Sequence, residues 1–327
     1  MKSESKNKFD FAKFWGQYST IAILLLIVLL FSCLEPKAFC SGSNFIKIIE
    51  QSSITILLAC GEFFAILIGG IELSVGSIMA LSGVITAKLM VQAGINPVFA
   101  VILGSILIGG FIGAINGLLI NITGLPPFII TLGMNSILRG VTMIASNVRS
   151  VAGIPATFTL AVGGKVWNMI PAPIIISVIV VIILTIFTTK IQAGRNLYAM
   201  GGNVQSAWYA GINVPLHRLL AHTITGVCAG LAGMVNIARL AAAEPTAGTG
   251  YDTYAIASVV IGGASFAGGE GLIPLVAVGG LIIGVINNGL NMVGLSSYYQ
   301  TITMGCLIIV AVTLDRFFGA SSKRKGE

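Results

Sequence analysis

FIKIIEQSSITILLACGEFFAILIGGIELSVGSIMALSGVITAKLMV, residues 45–91, holds two apolar runs parted by the glycine-flanked segment GGIELSVGS at 69–77. At about 1.5 Å per residue the first run is long enough to cross a bilayer core about 30 Å thick. The second is short, as a broken or tilted helix would be. The rest of the chain repeats this pattern, with further spans expected at 18–34, 98–120, 128–145, 174–188, 219–238, 254–265, 272–293 and 301–314. Including 45–68 and 78–91, this reads as an all-α integral membrane protein of about ten transmembrane helices. Composition agrees: of 327 residues, 56% are hydrophobic and 9% charged, too little charge to cover a water-facing surface. Ten helices use about 200 residues and leave too thin a remainder for a soluble domain. The first apolar stretch has no small-residue cleavage site and reads as a membrane helix, not a removed signal peptide.

Ten spans put both termini on one side. Lys2, Lys6, Lys8 and Lys13 precede the first, and Arg316, Lys323, Arg324 and Lys325 follow the last. With Lys190, Arg195 and Arg218 they place most of the basic residues on one face, so the termini are expected in the cytoplasm. The expected organisation is a cytoplasmic segment 1–17, a membrane domain 18–314 with an inward loop at about 190–218, and a basic tail 315–327. The net charge of +7 is spread over helix ends, which favours membrane orientation and lipid contact over nucleic acid. The five cysteines (Cys33, Cys40, Cys60, Cys228, Cys306) have no C-x-x-C pair and read as packing residues.

Glycines four apart (Gly109, Gly113 and Gly117; Gly226 and Gly230; Gly280 and Gly284) predict close helix–helix contacts, within the bundle or between two copies. Polar residues inside spans are costlier. Gln51, Thr55 and Glu62 share one helix face within about 40°, and Thr131, Asn135, Arg139 and Thr142 share one about 80° wide. Asn287 and Asn291 lie four apart, with Asn288 adjacent. Two readings stand: cross-helix hydrogen bonding, or an uncharged hydrophilic pathway suited to a polyhydroxyl solute. Glu62, without a second acid or histidine beside it in sequence, is open to structural, ion-pairing and proton-coupling roles; the last would make the chain a secondary transporter. Catalytic and nucleotide-binding signals are absent, and neither a metal site nor a cofactor is expected. His217 and His222, five apart, do not share a helix face. In the inward loop, residues 205–219 read as a short amphipathic segment ending at Gly211 and Pro215. Trp208 and Tyr209 are either interfacial belt or part of a docking helix.

Longer motifs carry a resemblance: GGIELSVGS at 69–77, TGLPPFIITLGM at 123–134, GRNLYAMGGN at 194–203, AEPTAGTGYDTYAIASVVIGG at 243–263 and INNGLNMVGLSSYYQ at 286–300. From about 51 to 316 the chain resembles the permease subunits of bacterial ATP-binding cassette importers for monosaccharides, the ribose, xylose, galactose and allose group. CGEFFAILI, VCAGLAG and TYAIAS are most similar to D-allose permeases, with ribose permeases close behind. Glu72 stands where the family usually has Asp, and Glu270 where a basic residue is common. The resemblance implies a non-catalytic inner-membrane subunit that translocates a monosaccharide, D-allose or ribose. Its implied partners are a cytoplasmic ATP-binding cassette subunit, a periplasmic or lipid-anchored sugar-binding protein and a second permease copy in a homodimer. It also implies that Gln205, Ser206, Ala207 and Gly211 belong to the segment that seats in the ATPase. The binding protein would dock on the 146–171 and 240–253 loops, where Arg149, Lys165, Glu244 and Asp252 supply charge.

Overall fold

The computed structural model of the chain describes residues 11–167 and 169–323; Lys2, Lys6, Lys8, Arg324 and Lys325, which carry part of the charge bias, lie outside them. Among the described residues fifteen helices follow one another: α1 (Phe11–Leu34), α2 (Pro36–Phe39), α3 (Gly42–Leu67), α4 (Val75–Val91), α5 (Pro97–Val101), α6 (Ile108–Thr123), α7 (Pro127–Ser146), α8 (Ala156–Gly163), α9 (Ala172–Lys190), α10 (Gln192–Gly202), α11 (Val204–Tyr209), α12 (Val214–Leu240), α13 (Tyr251–Ile261), α14 (Ile273–Met292) and α15 (Ser297–Lys323). A π-helical turn, Ile102–Leu107, joins α5 to α6. Two small antiparallel pairs complete the description: β1 (Val151–Ala152) with β4 (Ala242–Ala243), and β2 (Lys165–Val166) with β3 (Ile170–Pro171).

Six described helical stretches are long and apolar enough to cross a membrane: Gly42–Leu67, Pro97–Thr123, Pro127–Ser146, Ala172–Lys190, Val214–Leu240 and Ile273–Met292. Shorter apolar helices at Ser19–Leu34, Val75–Val91, Tyr251–Ile261 and Ser297–Val310 occupy the other expected segments. Of the boundaries that move from the sequence reading, two have a clear local cause. The seventh helix begins at Val214, because the Asn213 side chain accepts the Leu216 N–H at 3.0 Å and Pro215 suits the first turn. The eighth ends at Ile261, where Gly262 and the left-handed Gly263 stop it.

The core forms around α12, which packs on α3, α4 and α6. Small residues allow this. A Cβ at Gly113 would fall on the His222 carbonyl, one at Gly226 on the Gly109 carbonyl, and one at Gly230 on the Ser105 carbonyl. Gly280 and Gly284 meet Ile56 and Ser52 of α3 in the same way. With little hydrophobic force between helices in lipid, such backbone approach supplies the dispersion contact that holds them.

Two irregular segments re-enter the bundle from opposite ends. α3 runs down to Leu67, whose carbonyl accepts Gly269 N–H at 2.8 Å near α10. The chain then turns back, so that Glu72 lies beside Glu62 before α4 starts. At the other end, past the β1–β4 pair, residues 244–250 turn inward until Gly248 touches Gly76 backbone to backbone. Gly248 has φ of +72° and no room for a side chain, so glycine is required there on both counts. From this point α13 runs only 11 residues, about half of a hydrocarbon core. Irregular backbone at this depth needs protein groups to satisfy it.

Candidate functional site

The segment between α3 and α4 is cross-linked by side chains, while Glu62 Oε2, Asn116 Oδ1 and His222 Nε2 stay buried without a partner among the described residues. Glu62 Oε1 accepts the Glu72 N–H at 3.0 Å. Glu72 Oε1 accepts the Ser74 N–H at 3.0 Å and the Ser74 hydroxyl. Its other oxygen accepts Asn116 Nδ2 of α6 and pairs with His222 Nδ1 of α12, each at 2.9 Å. From α7, the Thr131 hydroxyl donates to the Ile71 carbonyl and accepts the Leu73 N–H, both at 3.1 Å. Glu62, Asn116, Thr131 and His222 are fully buried. Four helices are thus tied to one loop by a polar knot, and buried charge is tolerable because it is paired and hydrogen-bonded.

This corrects the reading of Glu62 as a solitary acid. Glu72 and His222, ten and 160 positions away in sequence, stand in the same network. His222 pairs with Glu72 and not with His217, which meets Asn196 and the Asn213 carbonyl near α10. The signal that could have found the knot is the acid within GGIELSVGS, a carboxylate in apolar surroundings that needs a partner.

The opposite segment is held differently. Arg139 of α7 donates to the Ala247 carbonyl at 2.6 Å and the Pro245 carbonyl at 3.4 Å. A cation inside a span is thereby spent on the carbonyls that irregular backbone leaves open. The Thr249 hydroxyl donates to the Thr246 carbonyl at 2.8 Å.

The other expected pathway residues differ in exposure and in hydrogen bonding. Gln51 is exposed, whereas Thr55 on the same stripe is buried. Asn135 is half-buried and makes no hydrogen bond among the described residues. Asn288 exchanges two 2.9 Å bonds with Asn44 across α14 and α3, the cross-helix use of an amide. Asn291 accepts from Gln300 at 2.7 Å, while Asn287 Oδ1 is buried without a partner.

At the α10 end, Asn203 caps α11 by accepting the Ser206 N–H at 2.8 Å. Gln205, Ser206, Trp208 and Tyr209 are exposed, but Ala207 is buried against the bundle. Ala207 packs α11 on its own chain. Gly211 follows with φ of +83°, a turn geometry that favours glycine. The Tyr198 hydroxyl of α10 donates to the Gly271 carbonyl at 2.8 Å.

Residues 44–312 match the family model described as "Branched-chain amino acid transport system / permease component". The chain is 54% identical over 318 residues, 97% of either chain, to the D-allose transport system permease protein AlsC of Escherichia coli (strain K12). It is 41% identical over 294 residues, 90% of either chain, to the ribose import permease protein RbsC of Bacillus subtilis (strain 168). To the galactose/methyl galactoside import permease protein MglC of E. coli K12 it is 33% identical over 99% of this chain and 100% of that one. No solved structure matches the chain.

Proposed function

The chain belongs to the family of transport-system permease components that its residues 44–312 match, and on that premise we propose that it is the pore subunit of an ATP-driven inner-membrane importer for a monosaccharide, D-allose in the first place and ribose in the second. The observation that carries the sugar is the near-complete 54% identity to a D-allose permease. It outweighs the amino-acid wording of the family description, because the relatives named above are all described as sugar permeases.

On this reading ten helices cross the membrane and both termini are cytoplasmic, with a domain 18–314 between the segment 1–17 and the tail 315–327. The 190–218 loop faces a cytoplasmic ATP-binding subunit through Gln205, Ser206, Trp208 and Tyr209, while Ala207 and Gly211 set the position of α11. A sugar-binding protein delivers solute to the opposite end. α7 is little buried within the chain, so its outer face is left for lipid and, on this reading, for a second permease copy. Gln51 and Asn135, which make no side-chain hydrogen bond among the described residues, are then the pathway residues of choice among those expected, while Arg139 braces the 244–250 segment. Thr55, Glu62 and Thr131 lie inside the packed chain and act as braces; Asn287 and Asn291 sit at or near the end of α14.

Secondary transport coupled through Glu62 is the competing reading, and the knot gives Glu62 the acid and histidine neighbours it lacked in sequence. The test is uptake of D-allose and ribose by proteoliposomes holding the chain with its ATPase and binding protein. Import that follows ATP and ignores collapse of the proton gradient is expected. Uptake driven by the gradient without ATP would overturn the proposal.

A further inference from the structure

A cavity of about 300 Å³ lies beside the 244–250 segment, walled by Met79 of α4, Asn236 and Leu240 of α12, and Glu244, Thr249 and Tyr251 among its neighbours. That volume is at the small end of ligand pockets. Asn236 is only 8% exposed, yet its amide has no hydrogen-bond partner among the described residues. The Glu244 carboxylate and the Tyr251 hydroxyl, both half-buried, are likewise without hydrogen bonds there. Unlike the sealed atoms of the knot, these groups border open space, so a solute there meets donors and acceptors not committed to the chain. Here Asn236, Glu244 and Tyr251 line one space together with buried Met79 and exposed Leu240.

We propose that this cavity is a monosaccharide subsite at the outer mouth of the permease, an inference that rests on the import reading and locates its solute. The amide offers two donors and an acceptor, and the carboxylate offers acceptors only. Vicinal sugar hydroxyls, each both donor and acceptor, match that set. The C–H face of a sugar ring packs on the Tyr251 ring or on Met79 and Leu240. A zwitterionic amino acid fits poorly, because a carboxylate is present but no cationic side chain lines the cavity to receive the solute's own carboxylate. The position also suits delivery. The cavity opens beside exposed Thr246 and Thr249, and its inner wall is the backbone at Gly248 that touches the start of α4.

The experiment uses the full chain in two settings. In proteoliposomes with its ATPase and loaded binding protein, import per ATP hydrolysed is measured for wild type, Asn236→Leu, Asn236→Gln and Glu244→Gln. In nanodiscs without the binding protein, saturation transfer from the permease to D-allose, D-ribose and L-leucine is read by NMR. Asn236→Leu is expected to lower import about tenfold and Glu244→Gln about threefold, the sizes of lost hydrogen bonds. Asn236→Gln recovers part of the loss, and saturation transfer to the sugars, but not to leucine, disappears in Asn236→Leu. Should that variant fail to assemble, Glu244→Gln and Asn236→Gln carry the comparison. Wild-type import of sugar with rates and saturation transfer unchanged in the variants would overturn the subsite alone. A wild type that imports neither sugar would overturn the import reading, and saturation transfer to leucine in place of sugar would overturn both.

Discussion

The two re-entrant segments do the same geometric work with opposite chemistry. Residues 68–74 and 244–250 each bring irregular backbone into the bundle, and each launches a short helix there. Around the first, Glu62, Glu72, Asn116, Thr131 and His222 bond to the loop and to one another, and the atoms they leave unpaired, Glu62 Oε2, Asn116 Oδ1 and His222 Nε2, are sealed inside. Around the second, Arg139 holds two carbonyls while Asn236, Glu244 and Tyr251 keep their polar groups free beside a cavity. A segment cross-linked by buried side chains fixes shape; one of similar depth whose polar neighbours border open space keeps capacity for a solute. Polarity inside a membrane bundle thus serves as brace or as site according to whether its groups are sealed among packed helices or open onto a cavity.

The contrast can be broken most sharply at Glu72. Glu72→Ala leaves His222 buried without its carboxylate, and losing one partner of a buried pair costs about 3–5 kcal/mol. Little folded protein is expected after detergent extraction, as followed by thermal unfolding on a sizing column; wild-type stability would show that the knot is not a brace. Arg139→Met removes the donor to Ala247 and Pro245, worth about 1–3 kcal/mol. Hydrogen exchange is expected to rise across 245–250 and stay unchanged across 69–74, and a rise in both would mean the segments are not independent. Glu62→Gln keeps an acceptor for the Glu72 N–H, so stability should shift by less than about 1 kcal/mol. Its ATP-driven uptake should remain insensitive to a protonophore. Smallest of all, Asn236→Ala breaks no bond within the chain and should change stability by no more than about 0.5 kcal/mol. A loss as large as that of Glu72→Ala would erase the distinction between the two segments.

Much of this fold was readable along the chain because a bilayer demands long apolar runs, and Gly, Pro and charge mark where they stop. The spacing of Gly109, Gly113 and Gly117 told which face of α6 meets another backbone, though not that α12 is the partner. The 69–77 and 262–271 glycine segments stood out, whereas 244–250 drew notice only within a longer motif. Sites were less legible. The stripe of Gln51, Thr55 and Glu62 is real as helix geometry, but its members divide between surface and core, since a helix face says nothing about what packs on it. His222 gave no sign of its acid because the two are 150 residues apart. Asn236, in a run of small and apolar residues, carried no signal at all.

By itself the sequence determined that this is a helical membrane protein lacking catalytic motifs of its own, because hydrophobicity, glycine spacing and motif order are properties of the chain taken residue by residue. Only the tertiary structure decided which polar groups are spent and which remain available. Whether a hydrogen bond closes depends on atoms about 3 Å apart in space, and those atoms come from helices that are far apart along the chain.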